Sequence, residues 1–257
     1  MNMAFQKHAD SGYRAAETSF DDLEVVEIHK SFGKREVLRG VSLKVSKGQV
    51  VGMFGRDGAG KTVTFCCILG LMRCDMGRIM LGDHDITRLP LYRRALLGLG
   101  YLPEQTSIFR GLTVAENIRA MLEIIEPDES ARNQRLEALL SDLRIEHLRD
   151  AAATSLSGGE RRRCEVARAL ALNPSFILLD EPFAGIDPLT IASIKEMILD
   201  FKARGIGVLL SDQNVPEMVE VIDRAYLLDD GVMVFSGSPD QLLEDDNVIA
   251  RYLGQRD

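Results

Sequence analysis

Eight consecutive residues, Gly55-Arg56-Asp57-Gly58-Ala59-Gly60-Lys61-Thr62, place three glycines ahead of a lysine and a hydroxyl. The spacing is that of a phosphate-cradling loop, G-x-x-x-x-G-K-[ST]. Its glycines let backbone N–H groups turn inward around phosphate oxygens, and a helix opening at the same place adds its positive end. Lys61 supplies charge to the β- and γ-phosphates of a nucleotide, and the Thr62 hydroxyl is suited to ligate Mg2+. A second group is acidic. The apolar run 176–179 ends in Asp180-Glu181, which delivers two carboxylates where open α/β sheets bind their ligands. Asp180 is suited to the Mg2+ shell, and Glu181 to polarising an attacking water as general base.

A third motif, Leu156-Ser157-Gly158-Gly159-Glu160, opens a helix with a hydroxyl and two glycines. That is another anion-binding end. One triphosphate has no easy use for two such ends from one subunit. A two-fold dimer removes the difficulty, with each nucleotide between the phosphate loop of one copy and Ser157, Gly158 and Gly159 of the other. Arg161-Arg162-Arg163 follows at once. With a formal net charge of −8, it reads as a solvated or partner-facing helix start, and no nucleic-acid partner is expected.

The elements that must position these groups are legible in outline. Strands are expected at 23–28, at 37–45 with a turn at Gly40, and at 50–54 directly before the phosphate loop, with a helix over 62–71 after it. Leu99 to Leu102 reads as a strand. Leu136, Leu139, Leu140 and Leu143 recur at helical spacing in a charged background, as core-facing residues of an amphipathic helix in a largely helical stretch. Asp187-Pro188 starts a helix with Ile191, Ile194, Ile198 and Phe201 on its apolar face, ended by Gly205. Segments 225–228 and 232–235 flank Asp230-Gly231 as a hairpin. Ser238, Pro239 and Gln241 open a short C-terminal helix. Strands alternating with helices argue for a largely parallel sheet. Residues 1–22 look like a flexible extension.

The chain has 257 residues, 46% hydrophobic and 27% charged, enough for one α/β domain with an inserted lobe. No stretch approaches the roughly 20 apolar residues that cross a bilayer. The N-terminus has no apolar segment of a secretory signal. The expectation is a cytoplasmic chain that meets a membrane only through partners. Cys66, Cys67, Cys74 and Cys164 form no CxxC pair, so reduced thiols are expected rather than a zinc or redox site.

Together these motifs resemble the ABC ATPase family, over about residues 23–254. The resemblance implies an α/β P-loop NTPase fold with a mainly parallel core sheet, an antiparallel β subdomain and an inserted helical subdomain at about 96–165, within a domain covering 23–257. It implies ATP and Mg2+ as ligands, ATP hydrolysis, Phe32 before Gly33-Lys34 as the aromatic stacking on adenine, and Gly185-Ile186-Asp187 as a D-loop that brings Asp187 to the nucleotide. Residues 107–114, 156–163 and 176–188 are similar to the LptB-type ATPases of bacterial lipopolysaccharide export. That similarity implies a homodimer on ATP beneath two transmembrane permease subunits (LptF/LptG-like), at the cytoplasmic face of the inner membrane. It places Phe109 and Arg110 in the groove that takes a coupling helix, while core packing is the other reading of Phe109. The ATPases of branched-chain amino acid importers are the competing assignment.

The sequence departs from the family pattern at three places. Gln213 stands where the family has a histidine on the γ-phosphate. It can donate a hydrogen bond but carries no charge. Glu104-Gln105 reverses the order of the family's Gln-loop and puts a carboxylate, a possible Mg2+ or water ligand, at the glutamine position. Asp57 and Val63 replace an asparagine and a threonine. Val63 keeps only its backbone N–H, and Asp57 brings negative charge near phosphates. A working ATPase with a reduced rate is expected. The alternative is a nucleotide-gated subunit with impaired hydrolysis.

Overall fold

The computed structural model describes residues 20–245 together with 248 and 252. Most of the expected extension at 1–22 lies outside them. Its last residues are not extension: Phe20 is buried edge-on against the His84 ring at 5.2 Å, and Asp22 already begins the first strand.

The strands are β1 Asp22–Phe32, β2 Arg35–Ser46, β3 Val50–Phe54, β4 Met76–Leu81, β5 His84–Asp85, β6 Leu99–Leu102, β7 Phe176–Asp180, β8 Gly207–Asp212, β9 Arg224–Asp229 and β10 Val232–Gly237. The helices are α1 Lys61–Leu69, α2 Leu91–Leu96, α3 Val114–Ile125, α4 Glu129–Asp142, α5 Gly158–Ala171, α6 Pro188–Ala203, α7 Val215–Val219 and α8 Pro239–Glu244. Six strands form one sheet in the order β10-β9-β3-β8-β7-β6, parallel except for the β9–β10 hairpin. The other four form an antiparallel sheet, β2-β1-β4-β5. The expected P-loop NTPase fold is thus present.

Strands β3, β7 and β8 are buried from end to end, which is why they read as unbroken apolar runs. Their side chains alternate between two cores. Val51, Met53, Leu178 and Leu209 join Phe65 and Ile68 of α1, under the antiparallel sheet. Val50, Phe54, Ile177, Leu179, Val208 and Leu210 meet Ile194, Ile198 and Phe201 of α6 on the other face. Register then fixes the chemistry. Phe54 pairs with Asp212, and Asp180 with Ser211. Three neighbouring strands therefore end almost level, and Gly55, Glu181 and Gln213 each come first after a strand end.

A third core binds α3, α4 and α5 through Ile118, Leu122, Leu136, Leu140, Cys164 and Ala167. The expected leucines are in it: Leu136 and Leu140 buried, Leu139 and Leu143 packed at its margin. Because β6 belongs to the six-stranded sheet, the helices begin past Leu102 rather than at about 96. Helix α1 ends two residues earlier than expected. Gly70 turns left-handed at φ 75°, and a Cβ there would lie 2.7 Å from Arg94 Nε. Arg94 is itself 1% exposed and donates to the carbonyls of Leu89, Cys67, Ile68 and Thr87, which fastens α2 to the end of α1. Burial pushes the thiols of Cys67 and Cys164 up to about 12 and about 11, so neither is a nucleophile at neutral pH. Among the described residues, no helix is long and apolar enough to cross a membrane.

Candidate functional site

The loop after β3 runs into α1 without a side-chain cap and without an acidic residue in the first turn. The first N–H groups of the helix thus face no side-chain acceptor, which suits an incoming anion. Gly60 has φ 112°, and a Cβ would fall 2.8 Å from Leu38 and 3.2 Å from the Val37 carbonyl, so only glycine fits there. Lys61 is 4% exposed and folds back along the loop, donating to the carbonyls of Gly55 at 2.7 Å and Arg56 at 3.3 Å. Its charge is held inside the cradle by weak acceptors that a phosphate oxygen outcompetes. Thr62 is exposed next to it, and Ala59 is tied to the hairpin by Gly231 N–H at 3.0 Å. Val63 instead packs against the core, so its side chain turns inward and only its backbone remains available. The Arg56 guanidinium lies 5.1 Å from the Tyr252 ring centroid.

Across from Lys61 stand the acidic strand ends. Asp180 is buried, with one carboxylate oxygen accepting from the Ser211 hydroxyl at 2.6 Å. Glu181 takes a left-handed φ of 45°, rare for a residue with a side chain. Its N–H is secured by the Ser211 carbonyl at 2.8 Å. Its carboxylate lies 3.9 Å from Lys61 Nζ. Burial holds the Glu181 carboxyl above the usual value; Lys61 pulls it down, and Asp212, Asp180 and Glu104 push it up again. Glu104 is exposed but close enough to act on Glu181; Gln105 is exposed beside it. This concentration of carboxylates opposite one lysine fits a divalent cation, with Asp180 and Thr62 as oxygen donors. Mg2+ takes one or two carboxylates plus substrate phosphates, so the lack of any all-protein metal cluster among the described residues is compatible with it.

Asp212 escaped the sequence reading. It is 3% exposed and accepts from the N–H groups of Phe183 (2.8 Å), Gln213 (2.7 Å) and Asn214 (2.9 Å). It thereby pins the loop that carries Gln213 to the turn that carries Glu181. Gln213 Nε2 in turn donates to Asp57 Oδ1 at 2.7 Å, which brings together two positions that depart from the family pattern.

Ser157 caps α5 in a reciprocal box with Glu160, whose carboxyl the Ser157 hydroxyl and N–H hold below its usual value. Gly158 and Gly159 are exposed, take no left-handed φ, and a Cβ on either would meet nothing within 4 Å. The fold of one copy gives no reason for glycine at either place.

The second residue that sequence reasoning missed is Glu165, 4% exposed on α5. It accepts from the Thr106 hydroxyl at 2.7 Å and Ser107 N–H at 2.6 Å and pairs with Arg162 at 3.4 Å. Arg162 also donates to the Pro103 carbonyl. The middle arginine of the basic run therefore points inward, which corrects for Arg162 the reading of the run as a solvated or partner-facing start, and the pair clamps the loop of Glu104 and Gln105 to α5. Glu165→Ala leaves Arg162 mostly buried without its carboxylate. The expected loss is roughly 3–5 kcal/mol, measured as a lower Tm; a shift no larger than that of a surface substitution would contradict it.

Phe32 is 49% exposed at the end of β1, with Lys30 Nζ 5.8 Å over its ring centroid. Asp187 accepts from Thr190 N–H and hydroxyl, at 3.1 and 2.5 Å, and so caps α6. Phe109 is not core: it is 41% exposed, with the Arg168 guanidinium 4.0 Å above its ring. A cavity of about 460 Å3 opens between α4, α5 and α6, lined by Asp142, Gly159, Arg162, Met197 and Arg204. It includes no residue of the phosphate loop.

The ABC transporter family profile matches residues 38–184. The lipopolysaccharide export system ATP-binding protein LptB of Acidithiobacillus ferridurans is 50% identical, over 91% of this chain and 97% of that protein. LptB of Escherichia coli K12 is 47% identical over 91% and 97%. Among solved structures, the ATP-binding cassette MJ1267 in its ADP conformation superposes with a TM-score of 0.81 at 29% identity, over 91% of this chain and 99% of that one. The phosphate loop, the acidic strand end and the capped glycine helix all lie inside the matched region, and this chain belongs to the ABC transporter family as an ATP-binding subunit.

Proposed function

We propose that the chain binds MgATP on the phosphate loop and hydrolyses it as one of two copies, powering two transmembrane subunits (LptF/LptG-like) in lipopolysaccharide export at the cytoplasmic face of the inner membrane. Lys61 and the first N–H groups of α1 hold the β- and γ-phosphates, and Phe32 stacks on the base. Asp180 and Thr62 hold Mg2+, which neutralises charge on the phosphate oxygens. Glu181 takes the proton of the attacking water. Gln213 donates to the terminal phosphate, without the charge a histidine could bring, so turnover is slow rather than absent. Ser157, Gly158 and Gly159 close on the nucleotide of the other copy. The observation that carries the reading is the level ending of β3, β7 and β8, with Lys61 Nζ 3.9 Å from the Glu181 carboxylate. The lipid substrate rests on the LptB relatives.

Because a base works only when deprotonated, a Glu181 carboxyl held above the usual 4.5 moves the acid limb of the rate upward. Turnover is expected to fall as pH drops, with its midpoint above 4.5. Glu104→Gln, by removing one of the charges that raise it, shifts that midpoint down. A midpoint at or below 4.5 in the pH dependence of kcat/KM contradicts this assignment of the base. The transport reading is tested by assembling the chain with its two membrane subunits in lipopolysaccharide-loaded proteoliposomes. ATP-dependent release of the lipid is expected; hydrolysis without release would remove that substrate.

A further inference from the structure

Asp57 and Gln213 lie 156 positions apart, yet their side chains are hydrogen-bonded at 2.7 Å. Both are exposed, Asp57 on the phosphate loop and Gln213 one residue past β8. The main chain of Gln213 is held independently, through Asp212. What remains undetermined for a glutamine so placed is which end of its amide faces the loop. One end carries two N–H donors and the other a carbonyl acceptor. Only the donor end attracts a phosphate oxygen; the carbonyl end repels it. A carboxylate accepts and never donates when ionised. Asp57 can therefore bond only the nitrogen, taking one N–H and leaving the second for a phosphate. An asparagine at 57 could bond the amide either way round and would fix nothing. The bond also gives a place to a negative charge that is otherwise unfavourable beside phosphates.

We propose that Asp57 is a positioning residue that sets the amide polarity of Gln213, so that the pair presents one N–H to the terminal phosphate of the bound triphosphate. The two departures from the family pattern then form one unit rather than two independent defects. The inference rests on the reading of the loop as a MgATP site.

The test is a double-mutant cycle on the full chain, reading kcat for ATP and, in the Glu181→Gln background, the Kd for MgATP. Asp57→Asn is expected to lower kcat about tenfold through lost orientation. Its Kd should stay the same or tighten, since a like charge near the phosphates is gone. In a Gln213→Ala background, Asp57→Asn should change kcat no further. Thermal melting of each variant confirms that the fold is retained. The proposal is overturned if Asp57→Asn leaves kcat unchanged or raises it, if the loss is equal in both backgrounds, or if it comes through weaker MgATP binding. Failure of the wild-type chain to bind MgATP overturns the site reading and this inference together. Binding and turnover indifferent to Asp57 overturn this inference alone.

Discussion

Glu181→Gln lowers ATP turnover by about 10²–10⁴-fold, the usual worth of a positioned general base, and leaves MgATP binding intact. The amide keeps the shape of the side chain and its place beyond β7. It cannot accept the proton of the attacking water. The backbone strain at φ 45° is unchanged, because it belongs to the turn held by Ser211 and Asp212 and not to the carboxylate. Burial, and after it the neighbouring Asp212, Asp180 and Glu104, raise the Glu181 carboxyl, and removing its charge relieves both. The variant should therefore be no less stable than the parent. Single-turnover hydrolysis and nucleotide binding on the same preparation check the split; near-normal turnover would show that another group activates the water.

Gly158→Asp is expected to abolish turnover while leaving the folded chain intact. A Cβ at Gly158 meets nothing, and the residue opens α5. An acid in that first turn is favourable to the helix by about 0.3–1 kcal/mol. Stability and activity then move in opposite directions, which a folding defect could not produce. The fall in activity should exceed about 10²-fold, the scale of removing one donor from a developing charge, because a carboxylate would meet the triphosphate of the other copy. Melting temperature and ATPase rate together decide it. Normal hydrolysis in a well-folded Gly158→Asp chain would mean that this helix end does not approach nucleotide.

Much of this was legible in the sequence because the chemistry is local. Residues 55–62, Asp180-Glu181 and the Ser157–Glu160 capping box are contiguous, and β3, β7 and β8 announce themselves as apolar runs because both faces are covered. What the sequence hid is what depends on distant partners. Asp212, Glu165 and Arg94 are charged residues in ordinary surroundings of sequence, and only the fold buries them against backbone groups they satisfy. Strand β4 carries two buried residues, Ile79 and Leu81, behind three exposed ones, too short an alternation to read. Helix α3 lies in the stretch that reads as largely helical, and the capping box of Thr113 and Glu116 marks where it opens. The Asp57–Gln213 bond could not be read at all, since each residue alone looks like a lost function.

The roles proposed for Ser157, Gly158 and Gly159 require a nucleotide shared between two copies. Sedimentation equilibrium of the Glu181→Gln chain, with saturating MgATP and again without nucleotide, tests it most directly. A particle of twice the chain's mass with MgATP and a monomer without it is the expected pair of results. A monomer that holds MgATP at saturation would contradict the shared site.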